Sequence, residues 1–205
     1  MKVKRLTTSF YRSADVVRLS EQLIGKVLVS IIDDHYTSGI IVEAEAYRAP
    51  DDRACHAFGN RRTDRTEVMF AQGGIAYIYL CYGIHQLFNV VTGPRDYAHV
   101  ILIRALEPLQ GIDIMMHRRK MHKLEYKITR GPGALSMAMG FHRSMSGQSL
   151  ITKEAPFFIE DRNIRYSDHA IANGPRIGVD SSGECASWPW RTYVRGNPYV
   201  SVKRT

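Results

Sequence analysis

The chain has 205 residues, 44% hydrophobic and 23% charged, which is typical of a globular protein with a core of its own. Lysine and arginine outnumber the acidic residues by 28 to 20, and the net charge of +8 favours a polyanionic partner, nucleic acid before membrane. The three cysteines form no CxxC pair and no apolar run approaches about 20 residues, so we expect free thiols in a reducing cytosol, without a zinc ribbon, signal peptide or membrane span.

The first half of the chain predicts one helix followed by strands. Ser13-Ala14-Asp15 offers N-cap chemistry for a helix over residues 16–24, which Gly25 ends. Alternating or continuous apolar residues predict strands at 26–33, 39–47, 75–82, 86–92 and 99–106. A polar turn joins the first two, a turn at Gly83 makes the next two a hairpin, and the last ends at Glu107-Pro108. Residues 48–65 predict a long loop, a feature that is usually functional inside a compact domain.

The second half predicts helices and then turns. Residues 109–120 predict a helix, a basic stretch runs to Arg130, and Gly131-Pro132-Gly133 opens a short helix that ends at Gly140. The remainder is rich in glycine and predicts short strands and turns. Because strands cluster early and helices do not alternate with them, the pattern favours an α+β fold over a doubly wound sheet.

Polar residues interrupt three of the predicted strands. Glu43 and Glu45 share one strand face, where an exposed structural glutamate is the favoured interpretation of Glu43. Arg104 and Asn89 stand in apolar runs of the kind usually buried on both faces, where a cation or an amide needs a partner. They lie either on an edge strand that reaches solvent or in a polar pocket, with Glu45 or a phosphate opposite Arg104. The sequence alone leaves both alternatives open.

Aromatic residues form a second group. Tyr77 and Tyr79 project from one strand face, an arrangement more often found in a core than in a binding site. Tyr82 stands at the hairpin turn, where a wedge or contact role fits better. The arginines that could hold phosphates, although such runs are usually solvated faces, are Arg61, Arg62 and Arg65. The sequence has no nucleotide-binding or metalloprotease motif and no histidine spacing for a metal, so we expect neither metal nor cofactor.

Seven segments in register resemble one protein family. The run IVEAEAY at residues 41–47 resembles the IVExEAY motif of the alkyladenine (3-methyladenine) DNA glycosylases, and the loop DDRACHAFGNRRT after it places His56 nine residues beyond Tyr47, as in that family. The segments GGIAYIYLCYG, Phe88-Asn89-Val90, ILIRALEP, TRGPGAL and YVRGNPYVS follow in the same order. The resemblance extends from the first helix to Val202 and implies a single domain over residues 1–205, built around a curved, mainly antiparallel sheet with flanking helices.

The resemblance also implies roles for individual residues. Glu45 is expected to be the general base, and Arg104 its partner in holding the water and the phosphate of the flipped nucleotide. The residues expected to form the base pocket are Tyr47, Ala54, His56, Tyr79 and Asn89, with the backbone of Ala54 and His56 reading the base edge. Tyr82 is expected to fill the vacated place in the duplex. The candidates for DNA backbone contacts are Arg61, Arg62, Arg65 and His85, although His85 departs from the family pattern, where an aromatic residue is common.

The implied reaction is hydrolysis of the N-glycosidic bond of an alkylated or deaminated purine flipped from double-stranded DNA. A carboxylate suits this reaction because it can deprotonate water and stabilise an oxocarbenium-like sugar. No lysine is singled out for imine chemistry, so we expect a monofunctional, monomeric, cytoplasmic enzyme (nucleoid-associated if bacterial, nuclear if eukaryotic). The alternatives are a catalytically silent nucleic-acid-binding module of the same fold and a hydrolase of free nucleosides.

Overall fold

The structure, a computed structural model, describes residues 4–201 and consists of a large sheet with helices packed against it. Its strands are β1 Lys4–Arg5, β2 Val27–Ile32, β3 His35–Arg48, β4 Ala76–Cys81, β5 His85–Thr92, β6 His99–Gln110, β7 Phe157–Asp161, β8 Ile171–Gly174 and β9 Arg191–Val194. Its α-helices are α1 Thr8–Tyr11, α2 Val16–Leu23, α3 Ile112–Arg118 and α4 Pro132–Met139. No helix among residues 4–201 is long and apolar enough to cross a membrane.

All strand pairs in the described part of the chain are antiparallel. The sheet has the order β1-β7-β2-β3-β6-β5-β4, and β9 pairs with both β3 and β8. Helix α2 packs against β3, and α4 packs against β5. The apolar core lies between these helices and the sheet, with Leu23, Ile41 and Ile103 fully buried. The predicted α+β class with a mainly antiparallel sheet is therefore confirmed.

The first predicted helix, the hairpin and the polar turn between the first two predicted strands are confirmed, but that turn is shorter than predicted. Helix α2 begins after Asp15, whose carboxylate accepts a hydrogen bond from the Arg18 amide at 3.0 Å. The turn is confined to Asp33 and Asp34, both in the left-handed region, and β3 already begins at His35. Polar residues continue the strand because their hydroxyls find buried partners, as Thr37 does with Ser30 at 2.8 Å.

The end of β6 is also displaced from its predicted position. The strand continues through Glu107-Pro108 to Gln110, and Pro108 lies opposite Gly39 where the register with β3 shifts. This bulge accommodates a residue that has no amide hydrogen to donate to the ladder. Helix α3 consequently begins at Ile112, later than predicted. The last residue of the family resemblance, Val202, lies outside the described residues.

Candidate active site

A cavity of about 390 Å³ opens where β3, β4, β5 and β6 meet the loop after β3. The predicted residues that line it are Tyr47, Ala54, His56, Arg65, Tyr79, Tyr82, Asn89 and Arg104. Glu45 lies directly behind this wall with no exposed surface, and its hydrogen-bond partners Tyr47, Arg104 and Ile177 all line the cavity. The fold therefore brings together residues that are separated by as many as 132 positions in the sequence.

The Glu45 and Arg104 side chains form a buried ion pair. Arg104 Nη1 lies 3.2 Å from Glu45 Oε2, and β6 is paired on both sides, so the edge-strand interpretation of Arg104 is wrong. Burial lowers the pKa of Arg104, but the charges of Glu45 and Glu43 outweigh it and raise that pKa above its usual value. Glu45 also accepts from the Tyr47 hydroxyl at 2.7 Å and from the Ile177 amide at 2.7 Å. Since a carboxylate offers about four acceptor sites, these donors leave one for a water.

Glu43 is buried, so its interpretation as an exposed structural residue is wrong. Its carboxylate lies 3.4 Å from Arg104 Nε and accepts hydrogen bonds from Arg191 Nη1 at 3.0 Å and the Ser201 amide at 2.8 Å. The half-exposed face predicted for β3 does not exist because β9 and the chain after it cover Glu43. Arg104 is thus held between two carboxylates, which fixes the direction of its guanidinium group.

Aromatic side chains form the walls of the cavity. Burial and the adjacent Glu45 carboxylate raise the pKa of Tyr47 well above its usual value, so its hydroxyl keeps its proton and donates a hydrogen bond to Glu45. The ring centroids of Tyr77 and Tyr79 are 5.4 Å apart and stacked, and the His56 ring meets Tyr79 edge-on at 4.6 Å. Tyr77, which the sequence favoured as a core residue, is buried and lines the cavity as well.

His56 is neutral, and its tautomer follows from its neighbours. Partial burial, reinforced by the Arg65 cation, lowers the pKa of His56 to about 4. Arg65 Nη2 lies 3.1 Å from His56 Nε2, and since a guanidinium group can only donate, Nε2 is the acceptor. The ring hydrogen then resides on Nδ1 and points to the Tyr77 hydroxyl at 2.8 Å, which leaves the Tyr77 hydrogen free to donate elsewhere.

A second buried ion pair, between Asp52 and Arg176, anchors the loop that carries Ala54 and His56. Arg176 Nη2 donates to Asp52 Oδ1 at 2.8 Å, and Nη1 donates to the other carboxylate oxygen and to the Ala46 carbonyl at 2.9 Å. Its guanidinium carbon also lies 4.6 Å from the centroid of the Tyr47 ring. Sequence reasoning missed this pair, because Asp52 stands in a polar loop and Arg176 in a segment without periodicity.

The same pair limits how the loop backbone can read a base. The Ala54 amide already donates to Asp52 Oδ1 at 3.0 Å, so the Ala54 carbonyl is the group that remains for a base edge. Asn89 is 2% exposed and donates its side-chain amide to the carbonyls of Tyr77 at 3.1 Å and Leu87 at 3.2 Å. Its strand β5 is paired on both sides, so the edge-strand interpretation of Asn89 is also wrong.

The hairpin tip projects from the mouth of the cavity. Tyr82 is 88% exposed and adopts a φ of 50°, a conformation that is unfavourable for a bulky side chain. The exposed residues Arg61, Arg62 and His85 do not line the cavity; Arg62 forms an ion pair with Asp96. Among residues 4–201, no group of three or more histidine, cysteine or acidic side chains is placed to hold a metal ion.

Comparison with known proteins shows similarity along nearly the whole chain. Residues 9–198 match the model of a family described as Methylpurine-DNA glycosylase (MPG). A Bacillus cereus protein is 45% identical over 202 residues, which cover 95% of this chain and 98% of that protein. A Bacillus anthracis protein is 44% identical over the same shares, and a Chlamydia felis protein is 44% identical over 91% of this chain and 94% of its own length. All three carry the name "Putative 3-methyladenine DNA glycosylase".

Proposed function

Because the chain belongs to the methylpurine-DNA glycosylase family, we propose that it flips damaged purines out of double-stranded DNA and hydrolyses their N-glycosidic bonds. The chain is a DNA glycosylase of the 3-methyladenine type, a hydrolase of N-glycosyl bonds. One observation carries the finer proposal: a buried carboxylate and guanidinium pair lies directly below an aromatic cavity with an exposed tyrosine at its mouth.

The flipped base stacks between Tyr47 on one side and His56 with Tyr79 on the other. Electron-rich tyrosine faces favour the N-alkylated purines, which carry a positive charge. The Ala54 carbonyl, the backbone of His56 and the Tyr77 hydroxyl supply polar groups for the base edge. This arrangement supports a substrate range of damaged purines that includes 3-methyladenine, 7-methylguanine, hypoxanthine and ethenoadenine.

Glu45 activates the water that attacks the anomeric carbon. The Tyr47 ring that stacks on the base also donates its hydroxyl to Glu45, so the sugar of a stacked nucleotide lies near the carboxylate. Arg104 holds Glu45 in place and orients the water, and its charge also attracts the phosphate of the flipped nucleotide. As the bond from the sugar to N9 breaks, the carboxylate stabilises the positive charge on the sugar.

Tyr82 makes the flipped state accessible. An atom inside the duplex cannot be reached by Glu45, and extrusion costs a few kcal/mol of stacking and pairing. A side chain that occupies the empty position in the stack offsets part of this cost. The exposure of Tyr82 and its unfavourable φ support this role, because neither stabilises the isolated protein.

A panel of duplex oligonucleotides, each with one of the four lesions, tests this proposal when abasic sites are scored after incubation. The proposal expects abasic sites with intact strands in lesion duplexes, and none in undamaged duplexes. The free nucleosides of the same lesions serve as the matched control. Excision from free nucleosides but not from duplexes would favour a nucleoside hydrolase, and binding without excision would favour a silent DNA-binding module.

A further inference from the structure

Two guanidinium groups line the cavity, and a third, that of Arg176, lies against the Tyr47 ring of its wall. Among the described residues, one of the three has no acidic partner. Arg104 pairs with Glu43 and Glu45, and Arg176 pairs with Asp52. Arg65 also lines the cavity, but within residues 4–201 no carboxylate lies within ion-pair distance of it. The cavity therefore carries one positive charge that no described carboxylate compensates.

The Arg65 side chain is directed at the aromatic wall of the cavity. Its guanidinium carbon lies 5.0 Å from the centroid of the Tyr79 ring, and Nη2 donates to His56 Nε2 at 3.1 Å. A base that stacks on Tyr79 lies about 3.5 Å from the ring, so it lies within roughly 9 Å of the Arg65 guanidinium carbon on either face of the ring. The contact to the phosphate backbone expected for Arg65 from the sequence does not explain this orientation.

We propose that Arg65 stabilises the negative charge that develops on a neutral purine as it leaves, so that excision of neutral lesions depends on Arg65 and excision of cationic lesions does not. This inference rests on the proposed function, and it adds a residue that separates two substrate classes. Arg65 acts through its charge at the cavity wall while Glu45 activates the water in both cases.

The two classes differ in where the bonding electrons go. Water forms the new bond to the anomeric carbon and loses a proton to Glu45, while the electron pair of the broken bond goes to N9 of the base. A neutral base such as hypoxanthine becomes an anion, which later takes a proton from solvent, and Glu45 returns its proton to solvent. A cationic base such as 7-methylguanine becomes neutral when it receives the same electron pair. Relative to free enzyme and free DNA, the Arg65 charge therefore does not stabilise the transition state of this lesion, and it only repels the cationic base in the bound ground state.

The size of the effect follows from the distance. At roughly 9 Å and an effective dielectric constant of about 20, a full negative charge on the base changes the rate about twentyfold. Because the Arg65 side chain is exposed and the charge is only partly developed in the transition state, we expect about tenfold.

Single-turnover excision of hypoxanthine and of 7-methylguanine from otherwise identical duplexes tests the proposal. The enzyme is kept well below its dissociation constant for DNA, so that the rate compares the transition state with free enzyme and free DNA. Arg65→Gln should slow the hypoxanthine reaction about tenfold and leave the 7-methylguanine rate within about twofold, by the distance argument above. Arg65→Lys retains the charge and should recover most of the hypoxanthine rate. Arg12→Gln makes the same change at an exposed arginine directly after α1 that does not line the cavity, and it should alter neither rate.

The remaining outcomes separate this inference from the proposed function. An equal loss on both lesions in Arg65→Gln would overturn the inference in favour of a phosphate contact, and no loss on either would overturn it as well. If the unaltered enzyme excises 7-methylguanine but no neutral lesion, the inference fails while the proposed function stands. If it excises neither lesion from duplex DNA, the proposed function itself fails. A thermal melt of each variant shows whether a loss reflects unfolding.

Discussion

Replacing Asp52 with alanine removes the partner of a guanidinium group that solvent hardly reaches. Arg176 is 2% exposed, and two of its hydrogen bonds go to Asp52. Removal of one member of a buried pair costs about 3–5 kcal/mol, because the remaining charge stays buried without compensation. For a chain of this length, that loss lowers Tm by roughly 6–20 °C. The rate of excision should fall as well, because the pair anchors the loop that carries Ala54 and His56.

Asp51→Ala provides the matched control, because Asp51 forms its ion pair with Arg48 at the surface, where its side chain is 47% exposed. Exposed pairs contribute about 0–1 kcal/mol, so this variant should melt within a few degrees of the unaltered protein. Thermal melts and single-turnover excision by both variants show whether the Asp52–Arg176 pair stabilises the protein and anchors the loop. If Asp52→Ala and Asp51→Ala melt at the same temperature, the Asp52–Arg176 pair does not hold the loop as described.

Three further predictions concern the DNA contact, the floor of the cavity and the chemistry. Tyr82→Ser should reduce the excision rate in a paired duplex, and the loss of rate should be smaller when the lesion lies opposite a gap or in single-stranded DNA. An equal loss of rate in both kinds of DNA would indicate a folding defect. Asn89→Ser should raise excision of alkylated guanine relative to hypoxanthine by about 1–3 kcal/mol, if Asn89 blocks the exocyclic amino group. An unchanged ratio with a lower Tm would instead assign Asn89 a structural role through its two carbonyl contacts. Borohydride added to the reaction should trap no covalent protein–DNA adduct, whereas an adduct would contradict a monofunctional mechanism.

The sequence predicted the strands of the sheet more accurately than their ends. Apolar runs locate β2, β4, β5 and β6, because burial in a sheet requires apolar residues whatever else surrounds them. The ends depend on partners far away in the sequence. Thr37 belongs to β3 because Ser30 satisfies its hydroxyl, and Pro108 belongs to β6 because a bulge opposite Gly39 accepts it. Neither condition is visible in a local pattern.

The same distinction applies to the candidate site. Residues inside the family motifs, such as Tyr47 and Arg104, were placed at the cavity from the sequence. The burial of Glu43 could not be predicted, since it depends on Ser201, which is 158 residues away. The pair of Asp52 and Arg176 spans 124 residues and has no local signature on either side. Long-range ion pairs thus account for most of what the sequence left undetermined at this site.

Excision by Glu45→Gln is the most direct test of the account. The substitution keeps the size of the side chain and removes the charge that activates water, while the cavity walls and Tyr82 remain. We expect the variant to bind duplex DNA with a lesion at nearly unchanged affinity, whereas its single-turnover rate falls by orders of magnitude, because the carboxylate acts mainly in the transition state. Excision by Glu45→Gln at a rate near that of the unaltered enzyme would contradict the assignment of Glu45 as the catalytic base.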